Sequence, residues 1–248
     1  MLTEERYAKI LSIVENMGSV TVQQLMRELD ASESTIRRDL NALDASGQLT
    51  KVYGGAVSKV SVYSTRDEEV ESRKGVHRDA KQRIAKYAAN LIKPGDFVYL
   101  DAGTTTEIMI DYIEAKSVSF VTNAIPHARR LSGRGYLVYL LGGEFKAVTE
   151  AIVGEEALAM LDKYNFTKGF WGTNGISFQK GFSTPEMKEA MVKKKSMENC
   201  SEKYVLADES KFNQISPVTF ATFESCTVIT TGPVPAAYKK CANVIEMK

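Results

Sequence analysis

Residues 20–43 constrain the fold of this chain more than any other stretch. The run Val20-Thr-Val-Gln-Gln-Leu-Met-Arg-Glu-Leu-Asp-Ala-Ser-Glu-Ser-Thr-Ile-Arg-Arg-Asp-Leu-Asn-Ala-Leu43 carries two helix starts separated by one turn. Thr21 and Gln24 have capping-box spacing, in which the Thr hydroxyl and the Gln side chain satisfy each other's orphan amides. Leu25, Met26 and Leu29 give that short helix its buried side. Asp30-Ala31 turns the chain, and Ser32 caps a further helix with the stripe Ile36, Leu40, Leu43, ended by Gly47. Upstream, Thr3 is expected to cap a first helix with the stripe Tyr7, Ile10, Leu11, Val14, stopped by Gly18. Downstream, Leu49–Tyr53 and Ala56-Val57 flank Gly54-Gly55, a two-residue hairpin loop. Three helices and a hairpin predict a small winged helix–turn–helix domain over residues 1–58.

Such a domain reads DNA by placing its last helix in the major groove. At 100° per residue, Ser34, Arg38 and Asn41 point away from the buried stripe, with Arg37 on the flank. Arginine forks onto guanine, asparagine onto adenine, and hydroxyls such as those of Thr21, Ser32, Ser34 and Thr35 reach phosphate. Lys51 and Tyr53 of the hairpin are placed to meet the backbone. Residues 1–58 hold six basic and eight acidic side chains, a net charge of −2, so the domain has no global basic footprint. Recognition therefore rests on local placement, with a merely solvated helix face as the plain alternative.

The segment Arg6-Tyr-Ala-Lys-Ile, Val20-Thr-Val-Gln-Gln-Leu, Ser34-Thr-Ile-Arg-Arg-Asp-Leu, Gly47 and Tyr53-Gly-Gly-Ala56 resembles the signature of the DeoR family of bacterial repressors throughout.

Residues 59–78 form a charged linker, and the 59–95 connector as a whole is expected to be mostly helical. Asp79–Ile92 has a helical stripe (Ile84, Ala85, Ala88, Leu91, Ile92), broken by Pro94-Gly95. Beyond it, short apolar runs alternate with helical segments. The strands are Phe97–Leu100, Val118–Val121, Leu137–Leu141, Gly169–Trp171, Tyr204–Ala207, Val228–Thr230 and Val244–Ile245. The helices are Thr106–Ile113, Gly154–Leu161 and Glu186–Asn199. This alternation predicts an α/β domain over residues 79–248, with a doubly wound, mostly parallel sheet.

Ligands of such sheets lie beyond the carboxyl ends of the strands. There the chain carries Asp101-Ala-Gly103-Thr104-Thr105-Thr106, Thr122-Asn123, Gly142-Gly143, Thr173-Asn-Gly175 and Asp208-Glu-Ser-Lys211. Small residues at a strand–helix junction let a phosphate approach the backbone, and hydroxyls with free amides supply donors. A plain tight turn explains the first loop equally well, and it is neither a Walker loop nor a dinucleotide fingerprint. Asp101 and Asp208 are candidates to accept sugar hydroxyls, and Lys211 to neutralise a phosphate. Glu189 and Lys193 lie one turn apart and read equally as part of that site or as a surface ion pair.

This half is similar to the DeoR-family sensor domain, itself similar to ribose-5-phosphate isomerase. The matching residues are Asp101–Thr106, Thr122-Asn123, Leu141-Gly-Gly143, Gly181-Phe-Ser-Thr184, Glu189-Ala190, Lys193, Ala207-Asp208 and Ser210-Lys211-Phe212. The resemblance implies a phosphorylated sugar effector, with phosphate on Gly103–Thr106, that releases a repressor from its operator. It also implies a homo-oligomer, dimer or tetramer, because paired half-sites need paired readers. Gly172–Ser177, Gly181–Pro185 and Thr149–Gly154 look most like repressors of fructose operons, which points to fructose 1-phosphate.

The competing reading is a sugar-phosphate isomerase fused to a DNA-binding domain. Isomerases carry Asp-Gly-x-Asp where this chain has Thr173-Asn-Gly-Ile176, and amides abstract no proton. His77 and His127 lack a Ser or Cys partner nearby in sequence and read as surface or helix-packing residues. A second domain that only oligomerises is a third possibility. Cys200, Cys226 and Cys241 are odd in number and lack metal-like spacing, so reduced thiols of a cytoplasmic protein are expected, with no metal and no cofactor. No apolar run approaches the roughly 20 residues of a spanning helix, and the N-terminus has no apolar secretory core.

Overall fold

The computed structural model describes residues 2–17, 19–58, 70–235 and 238–247. The chain divides into two compact units, residues 1–62 with 235–240 and residues 63–234 with 241–248.

The first unit runs α1 (Thr3–Met17), β1 (Ser19–Thr21), α2 (Val22–Leu29), α3 (Glu33–Ala45), β2 (Leu49–Val52) and β3 (Gly55–Ser58). Ile10 and Val14 of α1 meet Leu25 of α2, Ile36, Leu40 and Leu43 of α3, and Leu49 and Ala56 of the hairpin in one core. The capping box of α2 is present: Thr21 Oγ1 accepts from Gln24 N (3.2 Å) and Thr21 N donates to Gln24 Oε1 (2.8 Å). Asp30 turns the chain in the left-handed region, at φ 47°, and Ser32 caps α3.

Two local expectations are corrected. Thr3 is the first helical residue rather than the cap, because the Leu2 carbonyl takes the first helical bond from Arg6 N (3.0 Å). The hairpin loop is Tyr53-Gly54, since Val52 pairs with Gly55. Gly55 lies inside β3 because β1 passes against it: a Cβ there would sit 2.1 Å from the Val20 carbonyl oxygen. Strand β1 completes a three-stranded sheet in the order β1-β3-β2. The expected helix stop at Gly18, and residues 59–69 of the connector, lie outside the described residues.

The second unit is built on a seven-stranded parallel sheet made by all seven expected strands. In space they run Val244–Met247, Thr227–Thr231, Cys200–Leu206, Phe166–Gly172, Phe97–Leu100, Ser119–Thr122, Leu137–Leu140. Numbered along the chain this is 3-2-1-4-5-6-7, a doubly wound order whose direction reverses between Phe97–Leu100 and Phe166–Gly172. The crevice beyond the carboxyl ends of those two strands is where such sheets hold ligands.

Helix Arg78–Asn90 packs on the sheet through Ile84, Ala85 and Ala88, all fully buried. The expected Thr106–Ile113 helix starts earlier, at Thr104, and tightens to a 3₁₀ turn over Ile110–Tyr112. Two antiparallel pieces are additional to the expected elements. A hairpin pairs Glu144–Lys146 with Ala151–Val153, and a small sheet joins Gly175–Ser177, Gly181–Thr184 and Val218–Ala221. Among the described residues no helix is long and apolar enough to cross a membrane.

Candidate nucleic-acid interface and effector site

Helix α3 presents its predicted face outward. Ser34, Arg37, Arg38 and Asn41 are exposed, while Ile36, Leu40 and Leu43 are fully buried. Their neighbours set what each can reach. Arg37 is drawn back to Glu33, with Nε to Oε1 at 2.7 Å. Lys51 Nζ donates to Asn41 Oδ1 at 2.6 Å, tying the wing to the helix. Arg38 makes no hydrogen bond or ion pair among the described residues, so its fork is uncommitted. Tyr53 stands fully exposed at the hairpin turn.

The Thr21 hydroxyl is engaged in its own cap, and Ser32 Oγ bonds to Thr35 N (3.3 Å), Thr35 Oγ1 (2.9 Å) and Ser34 Oγ (3.0 Å). These hydroxyls therefore fix the start of α3. The sequence reading missed the clamp beneath them. Arg6 of α1 grips Asp39 of α3 with Nε to Oδ2 at 2.5 Å and Nη2 to Oδ1 at 3.0 Å, both residues buried. The hydrogen bond to Asp39, opposed by desolvation, holds the Arg6 pKa above its ordinary value. The two residues are 33 positions apart, and no local spacing announces the pair.

In the second unit the crevice at the strand-order reversal is filled by charge. Asp101, directly after Phe97–Leu100, is 1% exposed. Its Oδ2 accepts from Lys193 Nζ and from Gly172 N (3.3 Å), while Oδ1 has no hydrogen-bond partner. Burial raises the Asp101 pKa, against the pull of Lys193. Lys193 Nζ also donates to the Gly172 carbonyl (3.2 Å) and lies 5.7 Å from the centre of the Phe220 ring. Glu189 Oε1 accepts from Thr149 Oγ1 (2.5 Å) and Lys146 Nζ (3.0 Å). Burial works to raise the Glu189 pKa, but Lys193, Thr149 and Lys146 together hold it below its ordinary value. Glu189 and Lys193 are thus no surface ion pair: both are buried, and each finds its hydrogen-bond partner on another element. Lys146, Thr149, Gly172 and Phe220 were not singled out from sequence, although Thr149 and Gly172 lie in motifs noted there.

Thr106 is fully buried and serves the loop itself. Its Oγ1 bonds to the Asp101 carbonyl (2.7 Å), the Gly103 carbonyl (2.8 Å) and His127 Nε2 (3.1 Å). His127 is accordingly buried rather than at the surface, in the packing role. Asn123 Oδ1 braces the loop by accepting from Ala102 N (2.8 Å), and Thr122 Oγ1 accepts from Ala124 N (3.1 Å). The Thr104 and Thr105 hydroxyls make no hydrogen bond among the described residues. Thr104 borders a cleft of about 410 Å³ with Lys74, Arg78 and Arg130.

The remaining candidates, Gly142, Gly143, Asp208 and Lys211, make no hydrogen bond to Asp101, Glu189 or Lys193 among the described residues. Gly142 N donates to Met160 Sδ (3.0 Å), and Gly143, at φ 137°, lies where a Cβ would stand 2.5 Å from the Val153 carbonyl oxygen. Both shape the entrance to the hairpin. Asp208 caps the turn Glu209–Lys211 through Ser210. It lies near His77, which is exposed and pairs with Glu209 at 3.4 Å. Lys211 is half-buried, with no side-chain partner among the described residues.

Fold and surface define a class: a winged-helix DNA reader joined to a doubly wound α/β unit. Residues 6–62 match the DeoR-like helix-turn-helix domain, and residues 76–232 match the DeoR C terminal sensor domain. The chain belongs to the DeoR family. It is 43% identical to FruR of Bacillus subtilis, an uncharacterized HTH-type transcriptional regulator, covering 93% of this chain and 92% of the relative. It is 31% identical to the lactose phosphotransferase system repressor of Streptococcus mutans, covering 93% and 92%. Among solved structures, ribose 5-phosphate isomerase A of Methanocaldococcus jannaschii overlaps 54% of each chain at 19% identity, with a TM-score of 0.41. The sorbitol operon regulator SorC of Klebsiella pneumoniae overlaps 86% of this chain and 96% of its own, at 11% identity and a TM-score of 0.38. The protein is a DNA-binding transcriptional regulator, not an enzyme.

Proposed function

We propose that this regulator represses an operon for sugar uptake or catabolism and leaves its operator when a phosphorylated sugar binds the second unit. In this reading Arg38 and Asn41 read bases. Arg37, Lys51, Tyr53 and the hydroxyls of Thr21, Ser32, Ser34 and Thr35 meet or position the DNA backbone. The phosphate lies on Gly103–Thr106, with Thr104 and Thr105 offering hydroxyls. Asp101, Glu189 and Lys193 face the sugar, braced by Thr122 and Asn123. Gly142, Gly143, Asp208 and Lys211 complete the rim.

One observation carries the reading: Asp101 Oδ1 is buried at the strand-order reversal with no hydrogen-bond partner. An orphaned buried acceptor is costly, and a sugar hydroxyl is a donor of the right kind to satisfy it. Fructose 1-phosphate is the effector we favour, on the likeness of Gly172–Ser177, Gly181–Pro185 and Thr149–Gly154 to repressors of fructose operons. Paired operator half-sites call for a homo-oligomer, and the setting is the cytoplasm, where operon and sugar phosphate meet.

Thermal shift against fructose 1-phosphate, fructose 6-phosphate, tagatose phosphates and glycerol 3-phosphate tests the effector, since a ligand at 100 times its Kd adds about 2.7 kcal/mol. The same compound should release the protein from operator DNA in a gel shift. Stabilisation by none of them refutes the effector assignment.

A further inference from the structure

The hairpin formed by Glu144–Lys146 and Ala151–Val153 ends in a tip, residues 147–150, that folds over the Gly103 loop. Contacts from the tip and from the strands beside it hold the hairpin there. Thr149 Oγ1 donates to the buried Glu189 carboxylate (2.5 Å), and Lys146 Nζ reaches the same oxygen (3.0 Å). Ile152 N donates to the Asn123 carbonyl (2.6 Å), beside a bridge between Ala124 and Ala151. Glu150 closes the tip at φ 52°, a left-handed conformation that a non-glycine residue holds at a cost.

Beneath the tip almost nothing fits. The space bounded by Ala102, Gly103, His127, Thr149 and Glu150 is about 10 Å³, which at most admits about one water. Val70 borders the same space. It is buried, and its N–H donates to the Val148 carbonyl at 3.1 Å. Val70 is also the first described residue after 59–69, the stretch that leads in sequence from the DNA-reading unit.

We propose that residues 147–150 are a lid that closes the effector site, and that its opening is passed to the connector through the Val148–Val70 hydrogen bond. The inference rests on the effector reading above and adds its regulation. On the side of the loop lined by Ala102, Gly103 and His127, away from the open cleft at Thr104, a phosphate needs volume that Thr149 and Glu150 occupy, so there it binds only when the tip lifts. Lifting removes the carbonyl that holds Val70. The closed and open tips are then the two states an effector must discriminate to act at all. Whatever holds the lid shut lowers apparent affinity by the fraction of molecules that are open.

Hydrogen exchange on the full chain, read by mass spectrometry, tests this without any ligand. Thr149→Val keeps the β-branched shape and removes the hydroxyl, a bond to a charged acceptor whose loss is worth about tenfold or more in opening. We expect faster exchange by that factor in peptides covering both 146–152 and 70–74, with wild-type exchange in Thr149→Ser. Faster exchange at the tip alone overturns the link to the connector, and no change at the tip overturns the lid. With inorganic phosphate as the probe, Thr149→Val should bind tighter than wild type by the same factor of about tenfold or more, and equal affinity overturns the gating. If both peptides respond yet neither phosphate nor any sugar phosphate stabilises the wild type, the lid–connector link stands and the effector reading fails.

Discussion

Between pH 7.5 and 5, acidification should destabilise this protein through His127, ahead of the range in which its carboxylates take up protons. The ring is buried against the Gly103 loop, 3.1 Å from Thr106 Oγ1. That hydroxyl has one proton to give and two carbonyls, of Asp101 and Gly103, at 2.7 and 2.8 Å to receive it. Towards the ring it accepts, so Nε2 carries the imidazole proton and Nδ1 is left as a buried acceptor without a partner. A second proton on Nδ1 would charge a desolvated ring near Arg130. Burial first, and Arg130 second, lower the pKa from 6.5 to about 3. Below about pH 6.5 the unfolded chain takes up a proton that the folded chain refuses. Stability is therefore full above that pH and falls steadily as pH drops towards about 3. At 1.36 kcal/mol per unit the loss is about 0.9 kcal/mol at pH 6 and about 2 kcal/mol at pH 5. Urea melts of wild type and His127→Gln at pH 7.5, 6 and 5 isolate this contribution. The wild type should lose about 2 kcal/mol more than the variant by pH 5. Parallel losses in the two proteins would refute the argument, since they would mean that folded His127 protonates normally.

Two further outcomes follow from the first unit. Arg38→Ala should weaken operator binding by about 1–3 kcal/mol if Arg38 reads a base, and an unchanged gel-shift titration would remove it from the interface. Gly55→Ala should lower the melting temperature and abolish operator binding, because the new Cβ would lie 2.1 Å from the Val20 carbonyl oxygen. A wild-type melt for that variant would show that β1 is free to move aside.

The fold was legible where burial is simple. Parallel strands covered on both faces read as short apolar runs, and Phe97–Leu100 was located to the residue. The wing hairpin was legible from its glycine turn, but the shortest antiparallel strands were not, because Ser19–Thr21, Glu144–Lys146 and Gly175–Ser177 are three residues each and carry no alternation to detect. For the site, residue types were visible but their pairings were not. Glu189 and Lys193 have the spacing of a surface pair, yet their helix is pressed between the main sheet and the small one, and both side chains turn inward. Lys193 meets Asp101 across 92 positions, and Glu189 meets Lys146 across 43. Such distances leave no mark on local sequence, and neither does the Arg6–Asp39 clamp.

The buried charges also bear on whether the second unit exists only to hold copies together. Asp101, Lys193 and Glu189 are each at least nine-tenths buried. Replacing a buried ion pair with packed apolar groups is often neutral or stabilising, whereas removing one partner costs about 3–5 kcal/mol. A purely oligomerising domain has no reason to keep Asp101 with one oxygen unpartnered. Lys193→Met alone should therefore be strongly destabilising in denaturant melts, because it strands the Asp101 carboxylate. Adding Asp101→Leu should restore most of that stability while abolishing the thermal shift with fructose 1-phosphate and release from operator DNA. A double variant that is stable and still released by the sugar phosphate would place recognition elsewhere in the unit, and the Asp101–Lys193 pair would then be packing alone.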